Sequence, residues 1–340
     1  MRITRDTLLK IVRDTVTQRT RSDRGILAIF MHGSLLEDEY LLGNTTDLDL
    51  FIIHTDAVPV QREIVHLTDD IHIDISHYLN RDFRNTRMLR VHPWIGPTLK
   101  DARILFDPQH FLDFTQASVR GQYDEPDHVM ERSRKQVASA RQIWQSLHEL
   151  HSDPSPKDIL SYLRALENAA NSIVGVSGSP LTERRFLVRL PQRLEAAGRP
   201  GLYPGLLGML GAQYVDGETL KSWLPLWQSA YREVAATTTI EQIPARIHPL
   251  RESYYSHAFE ALMGGSQPLT ALWPLLRSWT LAITTLVQPG EHRANWQTSL
   301  ERLNLAGASF RERVAGLDAY LDMVEETLDQ WAVANGASET

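Results

Sequence analysis

The sequence predicts an α+β protein in which a small N-terminal domain, built on a mixed sheet with flanking helices, precedes an all-helical C-terminal domain. Two observations lead to this prediction. Short apolar runs of strand length, separated by turn-forming residues, are concentrated before about residue 107. Beyond about residue 120 apolar residues recur at helical spacing, and seven of the eight tryptophans lie there. We expect the domains to span residues 1–120 and 121–334, with a disordered tail over 335–340.

In the first domain, apolar side chains at helical spacing predict a helix over residues 3–20. The strands are short apolar or alternating runs bounded by Gly, Asn and Asp, and the third and fourth of them are close enough to form a β-hairpin. They are predicted over residues 25–31, 47–53, 61–67, 71–77 and 102–107. The arginine-rich stretch 80–91 is predicted to be one helix. Pro108 is predicted to open the next helix, since proline is favoured at a first helical position.

In the second domain, helical patterns are separated by Gly or Pro. The predicted helices cover residues 126–150, 156–175, 181–197, 217–236, 247–263, 267–287, 291–305 and 307–333. Pro191, Pro225 and Pro274 fall inside three of these segments. Because proline lacks a backbone N–H and clashes with the preceding turn, breaks or kinks are expected there.

Composition excludes several classes of protein. The 340 residues include no cysteine, so disulfides, thiolate metal sites and a cysteine nucleophile are excluded. No apolar run approaches the roughly 18–20 residues of a membrane span. The charged, periodic N-terminus is unlike a signal peptide. We therefore expect a cytoplasmic protein with no membrane partner, and the net charge of −7 argues against a broad, non-specific nucleic-acid binder.

The charge is unevenly distributed along the chain. Residues 31–80 contain ten acidic side chains and one basic one, Arg62, which gives −9, so the other 290 residues sum to +2. Four arginines follow between Arg81 and Arg90. One interpretation is a solvated acidic face beside a solvated basic helix. The other is a cation site bordered by a phosphate-binding edge.

Three aspartates in predicted strands favour the cation site. Asp47 and Asp49 are two residues apart, so both carboxylates project from one face of their strand. Carboxylates that converge in this way repel each other unless a hard cation lies between them, and ligation by oxygen alone suits Mg²⁺. Asp74 alternates with isoleucines in a later strand. A third carboxylate from that strand would complete a two-metal site for phosphoryl transfer.

The turn before these aspartates has the composition of a phosphate-binding segment. Gly33 lets the backbone approach a phosphate closely, and Ser34 offers a hydroxyl and an amide. Since three carboxylates suffice for a metal site, the nearby His32, His72 and His77 are interpreted as neighbours of the site or as surface residues.

These residues also resemble a known family. An apolar strand, the Gly33-Ser34 turn, a loop, Thr46 before Asp47-Leu48-Asp49, and a later strand aspartate are similar to the nucleotidyltransferase superfamily of DNA polymerase beta. The resemblance covers about residues 25–107. With its helical C-terminal domain, the chain looks most like the aminoglycoside nucleotidyltransferases and their relatives. The resemblance implies a nucleotidyltransferase-fold catalytic domain and a helical substrate-binding domain.

It also implies an activity. Two Mg²⁺ ions held by Asp47, Asp49 and Asp74 would assist transfer of NMP from ATP or another NTP to a hydroxyl of a small molecule, such as an aminoglycoside-like antibiotic. Asp74 could be a metal ligand, a general base or both.

The nucleotide would bind through a further set of residues. No lysine occurs between Lys10 and Lys100, so arginines or the second domain must help to neutralise the triphosphate. The residues expected to bind it are Gly33, Ser34, Thr46, Arg62 and Lys135.

Two alternatives remain open. One is a nucleotidyltransferase that modifies RNA or a protein partner, as in AMPylation of a toxin, with the stretch from Arg81 to Arg90 contacting the acceptor. The other is a non-catalytic nucleotide-binding relative. The sequence leaves open the acceptor, the preferred nucleotide and the oligomeric state.

Overall fold

A five-stranded mixed sheet organises the N-terminal half of the chain, as the sequence predicts. The computed structural model describes residues 4–58 and 60–338. The strands are β1 (Ile26–His32), β2 (Thr46–His54), β3 (Arg62–Thr68), β4 (Ile71–Leu79) and β5 (Arg103–Phe106). Their order in the sheet is β3-β4-β2-β1-β5. Neighbouring strands are antiparallel, except that β2 and β4 run parallel.

One face of the sheet is covered by the first helix, α1 (Arg5–Ser22), whose N-terminus is capped by the Thr4 side chain. The α1 side chains Leu8, Val12 and Val16 are buried in one cluster with alternate residues of the strands. Because side chains alternate along a strand, β2 contributes Leu48 and Leu50 to this core and turns its aspartates to the opposite face. The sheet therefore has an α1 face with one hydrophobic core and an opposite face that carries the β2 aspartates beside a second core, which includes Phe30 and Ile53.

Three short helices complete this part of the chain. They are α2 (Thr86–Arg90), α3 (Ile95–Lys100) and α4 (Phe111–Arg120). The prediction of one helix over 80–91 is wrong: a 3₁₀ turn spans Asn80–Phe83, and α2 begins separately. The interruption has a local cause, because the Asn85 side chain accepts a hydrogen bond from the Met88 amide and caps α2. The arginines of this stretch do not share one continuous helix.

The prediction that Pro108 opens a helix is also wrong. The chain turns after β5, and α4 begins at Phe111. Oδ2 of Asp107 accepts hydrogen bonds from the backbone amides of Leu112 and Asp113, at 2.8 and 2.9 Å. This carboxylate satisfies amides in the first turn of α4, which have no partner within the helix.

The chain divides into two compact units, Met1–His128 and Val129–Thr340. The helices from this boundary onward are α5 (Pro126–His148), α6 (Pro156–Val174), α7 (Phe186–Ala196), α8 (Leu202–Met209), α9 (Gly217–Thr237), α10 (Glu252–Met263), α11 (Leu272–Thr285), α12 (Gly290–Arg302) and α13 (Gly307–Asn335). From residue 129 to 338 the structure has no strand. In the described part of the chain, every helix is too short or too polar to cross a membrane.

The three prolines do not break these helices. Pro191 and Pro225 lie inside α7 and α9, which continue through them, whereas Pro274 lies in the first turn of α11. In the first turn of a helix the backbone N–H groups make no intrahelical hydrogen bond, so a proline there removes none. Helix α8 was not predicted from sequence, because it is short and contains two glycines and a proline. Helix α13 ends at Asn335, and the last two residues of the expected tail, Glu339 and Thr340, lie outside the described residues.

Candidate metal and catalytic site

Three aspartates meet on the face of the sheet opposite α1. Asp47 and Asp49 lie on β2, and Asp74 pairs directly with Asp49 in the parallel register of β2 and β4. One carboxylate oxygen from each of the three lies within 4.8 Å of the other two. Asp74 is buried, with 2% of its surface exposed. The pairing of the two strands thus brings together the carboxylates that the sequence singles out.

The donor set of this triad fits a hard divalent cation. Three carboxylates offer oxygen atoms only, and oxygen is what Mg²⁺ and Mn²⁺ prefer over nitrogen or sulfur. Three negative groups this close also repel one another, and an opposite charge between them would relieve the repulsion. Within residues 4–58 and 60–338, no other group of three His, Asp or Glu side chains meets the same distance criterion.

Gly33 lies directly against the triad. Its backbone has φ +96° and ψ −167°, a conformation that is essentially confined to glycine. A Cβ atom at this position would lie 2.1 Å from Oδ2 of Asp49. The close approach follows from the sheet, because His32, the residue before Gly33, pairs with Asp49 between β1 and β2. The turn after β1 therefore brings its backbone into contact with a carboxylate of the site.

Ser34 and Thr46 link this turn to the start of β2. The Ser34 Oγ and Thr46 Oγ1 atoms are 3.2 Å apart, and the Thr46 hydroxyl also donates to the carbonyl of Asp47 at 3.2 Å. Thr46 is completely buried, whereas Ser34 is partly exposed. We therefore expect Ser34 to be the residue that can reach a ligand and Thr46 to hold it in place.

Arg62 binds Asp74, a contact that sequence reasoning missed. Its Nε donates to Oδ1 at 2.6 Å and a terminal nitrogen donates to Oδ2 at 2.5 Å, the bidentate arrangement of an Arg–carboxylate pair. The Arg62 side chain is 43% exposed, whereas that of Asp74 is 2% exposed. A carboxylate has about four lone-pair positions, so Asp74 can bind the guanidinium and still offer a lone pair to a cation. Arg62 is thus a fixed positive charge beside the triad.

Two histidines flank the aspartates on the same face. His32 pairs with Asp49 on one side, and His72 of β4 pairs with Asp47 on the other. Burial lowers the pKa of His32, and Asp101 and Glu37 partly oppose this effect. His72 is 1% exposed. The sequence signal for His72 was its position two residues before Asp74, which places it on the same face of β4.

Lys135, which we expect to bind nucleotide, belongs to the second unit. Its Nζ lies 2.8 Å from Oε1 of Glu131, one helical turn earlier on α5. Such a pair on the surface of a helix is weak, about 0.3–0.5 kcal/mol. A role of Lys135 in binding triphosphate stays a prediction.

We expect Arg62→Ala to weaken the first unit. The substitution leaves the buried Asp74 carboxylate without its bidentate partner, and removing one partner of a buried ion pair leaves an uncompensated charge. Because Arg62 is partly exposed and water can replace some of its contacts, the expected loss is about 2 kcal/mol in the free energy of unfolding. Urea titration of the variant measures it.

The matched control is Arg81→Ala, because Arg81 is an exposed arginine 4.0 Å from Asp82. This surface pair should contribute less than about 0.5 kcal/mol. Equal losses for the two variants would show that Arg62 does not stabilise Asp74.

No protein-family model matches this chain, and no curated protein matches it either. The function must therefore be inferred from the site itself: three convergent carboxylates, a glycine turn in contact with one of them, and an arginine bound to another.

Proposed function

We propose that this protein is a Mg²⁺-dependent nucleotidyltransferase, which transfers NMP from an NTP to a hydroxyl group of a small molecule. ATP is the first candidate nucleotide. The observation that carries the proposal is the convergence of Asp47, Asp49 and Asp74 on one face of the sheet. Clusters of carboxylates that hold two cations are a recurrent solution for in-line displacement at phosphorus.

The fold that we propose for the first unit is that of the DNA polymerase beta superfamily. Three features support it: a Gly-Ser turn directly after β1, an Asp-x-Asp pair in β2, and a third aspartate in β4, which is parallel to β2. Members of this superfamily that resemble the aminoglycoside nucleotidyltransferases would have a helical substrate-binding domain, and the helical second unit would serve as that domain.

The residues of the site suggest a division of roles. Asp47, Asp49 and Asp74 would hold Mg²⁺, which when bound stabilises charge on the phosphates and lowers the pKa of the acceptor hydroxyl. The backbone at Gly33, which lies against Asp49, and the hydroxyl of Ser34 would contact a phosphate. Arg62 fixes the orientation of Asp74. We favour the ligand role for Asp74 over that of general base, because a proton taken up by it would weaken both hydrogen bonds from Arg62.

A cationic small molecule is the acceptor class that the charge pattern supports best. The −9 segment over residues 31–80 contains all three aspartates of the site, and its negative charge would attract a positively charged acceptor. An RNA acceptor would favour an extended basic surface, yet the arginines of residues 81–90 do not lie on one continuous helix. RNA or protein as acceptor is therefore the second choice.

The test of this proposal is transfer of a labelled α-phosphate. The purified protein is incubated with Mg²⁺ and each of α-labelled ATP, GTP, CTP and UTP, in the presence of aminoglycosides, tRNA or protein. We expect label on a small-molecule hydroxyl and release of pyrophosphate. Transfer to tRNA or to protein, with none to a small molecule, would show that the acceptor is RNA or protein. Absence of transfer with every nucleotide and acceptor class would contradict the proposal.

We expect Mg²⁺ or Mn²⁺ to stabilise the protein against thermal unfolding. A ligand that binds only the folded state adds about 2.7 kcal/mol at a concentration one hundred times its Kd. Scanning calorimetry with and without the ion, and after EDTA, measures the change. The control is Asp47→Asn/Asp49→Asn, which should melt at the same temperature in both conditions. A cation effect of equal size in that variant would place the binding site elsewhere.

A further inference from the structure

On the α1 face of the sheet, five polar side chains form a continuous chain, which we call the histidine latch. It consists of Asp23, His54, His77, Glu63 and Arg19. The two imidazoles are joined directly, with 2.8 Å between Nε2 of His54 and Nδ1 of His77. His54 and His77 are both buried.

The outer nitrogens of the two rings face carboxylates. Nε2 of His77 lies 3.1 Å from Oε1 of Glu63, and Nδ1 of His54 lies 3.5 Å from Oδ2 of Asp23. Arg19 donates to Oε2 of Glu63 at 3.0 Å. The charged groups that face the imidazole pair therefore come from each neighbouring element: Arg19 and Asp23 from α1 and its C-cap, and Glu63 from β3.

The latch adds side-chain contacts between strands that are already paired, β2 with β4 and β4 with β3, and joins the end of α1 to them. It involves β2, β4 and β3, and β3 is the edge strand that lies next to β4. It lies on the face opposite Asp47 and Asp49. His54 is an odd number of positions from each of them along β2, so its side chain points to the other face of the sheet. Even so, the latch is close in sequence to the site, since Glu63 directly follows Arg62.

The hydrogen bonds of the latch determine which ring nitrogens carry protons. An ionised carboxylate only accepts hydrogen bonds, so the proton between His77 and Glu63 must belong to Nε2 of His77. A neutral His77 then has an unprotonated Nδ1, which accepts from Nε2–H of His54. Every bond of the inner chain is thus satisfied when both rings are neutral, with the Nδ1 of His54 unprotonated.

One further proton can be accommodated, but a second cannot. The first would add to Nδ1 of His54 and produce an imidazolium that faces Asp23. If the second ring also became charged, both Nε2 of His54 and Nδ1 of His77 would carry hydrogens and would confront each other at 2.8 Å. The folded latch therefore accepts one proton at most, whereas the two histidines of the unfolded chain each accept one.

We propose that the histidine latch is an acid-sensitive device, which fastens β3 and the end of α1 to the sheet at neutral pH and releases them as the pH falls below about 6, the range in which histidine ordinarily takes up a proton. Release would loosen the strand that presents Arg62 to Asp74. The inference does not depend on the activity proposed for the site.

The electrostatic surroundings agree with this direction. Burial lowers the pKa of His54, the neighbouring His77 lowers it further, and Asp23 partly opposes both. The hydrogen bond from His77 lowers the pKa of Glu63, against the effect of burial, and Arg19 lowers it further. A depressed histidine pKa favours the neutral ring in the folded state. The stabilisation is therefore complete above the pKa of the unfolded chain and is lost as the pH falls.

The first experiment compares urea unfolding of the wild type and His54→Gln between pH 7.5 and pH 5.0. A glutamine amide can donate to His77 or accept from it, so the variant removes the conflict between two charged rings. Each extra proton bound by the unfolded state raises the unfolding equilibrium constant tenfold per pH unit. As the pH falls from 7.5 to 5.0, we expect the unfolding equilibrium constant of the wild type to rise at least about tenfold more than that of His54→Gln.

The control is His110→Asn, at an exposed histidine of the same unit that lies 3.0 Å from Asp113. It should retain the pH dependence of the wild type. Identical pH dependence in the wild type and His54→Gln would overturn the proposal.

A second measurement needs no variant. Nitrogen-15 spectra of histidine-labelled wild-type protein report which ring nitrogens carry protons. At pH 7.5 we expect both rings to be neutral and to carry the proton on Nε2, and on acidification we expect no more than one of them to become charged while the protein stays folded. Two charged rings in the folded protein at pH 5.5 would contradict the latch.

Discussion

Replacing both Asp47 and Asp49 with asparagine is expected to lower the rate of nucleotidyl transfer at least about a thousandfold, which corresponds to about 4 kcal/mol in activation free energy. The physical reason is electrostatic. Both side chains keep their shape, but the site loses two of the three negative charges that would hold the cations and thereby stabilise the phosphates during the reaction. The measurement is transfer of labelled α-phosphate under single-turnover conditions.

The fold of this variant should be intact. Two carboxylates that repel each other become neutral amides, so stability in the absence of metal should be unchanged or higher. The matched control is Asp69→Asn, at an acidic residue of the same segment that lies in the exposed turn between β3 and β4, 3.4 Å from His66. Its activity should equal that of the wild type. Full activity of the double variant would show that the triad is not the catalytic site.

Period-two alternation made much of this site predictable. Asp47 and Asp49 had to share a face of β2, and Asp74 had to oppose the isoleucines of β4, because side chains alternate along any strand. Alternation does not specify which strands are neighbours or in which register. The direct pairing of Asp49 with Asp74 depends on the parallel contact between β2 and β4, which the structure supplies.

Contacts between distant residues could not be predicted in the same way. The sequence predicts a phosphate contact for Arg62 because no lysine lies between Lys10 and Lys100, but it does not reveal that the edge strand β3 brings Arg62 to Asp74. A local signal in the sequence does mark one helix boundary. Asn85 is a typical helix N-cap residue, and it could have shown that the helix expected over 80–91 restarts at Thr86.

Gly33→Ala is expected to damage the site without removing any functional group. The substitution places a methyl group on a backbone at φ +96° and ψ −167°, which costs about 1–3 kcal/mol for a residue other than glycine. The new Cβ would also lie 2.1 Å from Oδ2 of Asp49, so either the turn or the carboxylate must move. We expect the free energy of unfolding to fall by about 3 kcal/mol and, since a 1 Å misplacement can cost about a hundredfold, transfer to fall by about that factor.

Two further variants separate the clash from the backbone strain. Gly198→Ala introduces a methyl group at φ +71° with no atom within 4 Å, so it tests strain alone and should leave transfer unchanged. Adding Asp49→Ala to Gly33→Ala removes the carboxylate that the new methyl group meets. The double variant should therefore lose about 1–2 kcal/mol less stability than the sum of the two single variants. Strict additivity would mean that Gly33 and Asp49 do not touch, and the contact between the glycine turn and the candidate metal site would have to be abandoned.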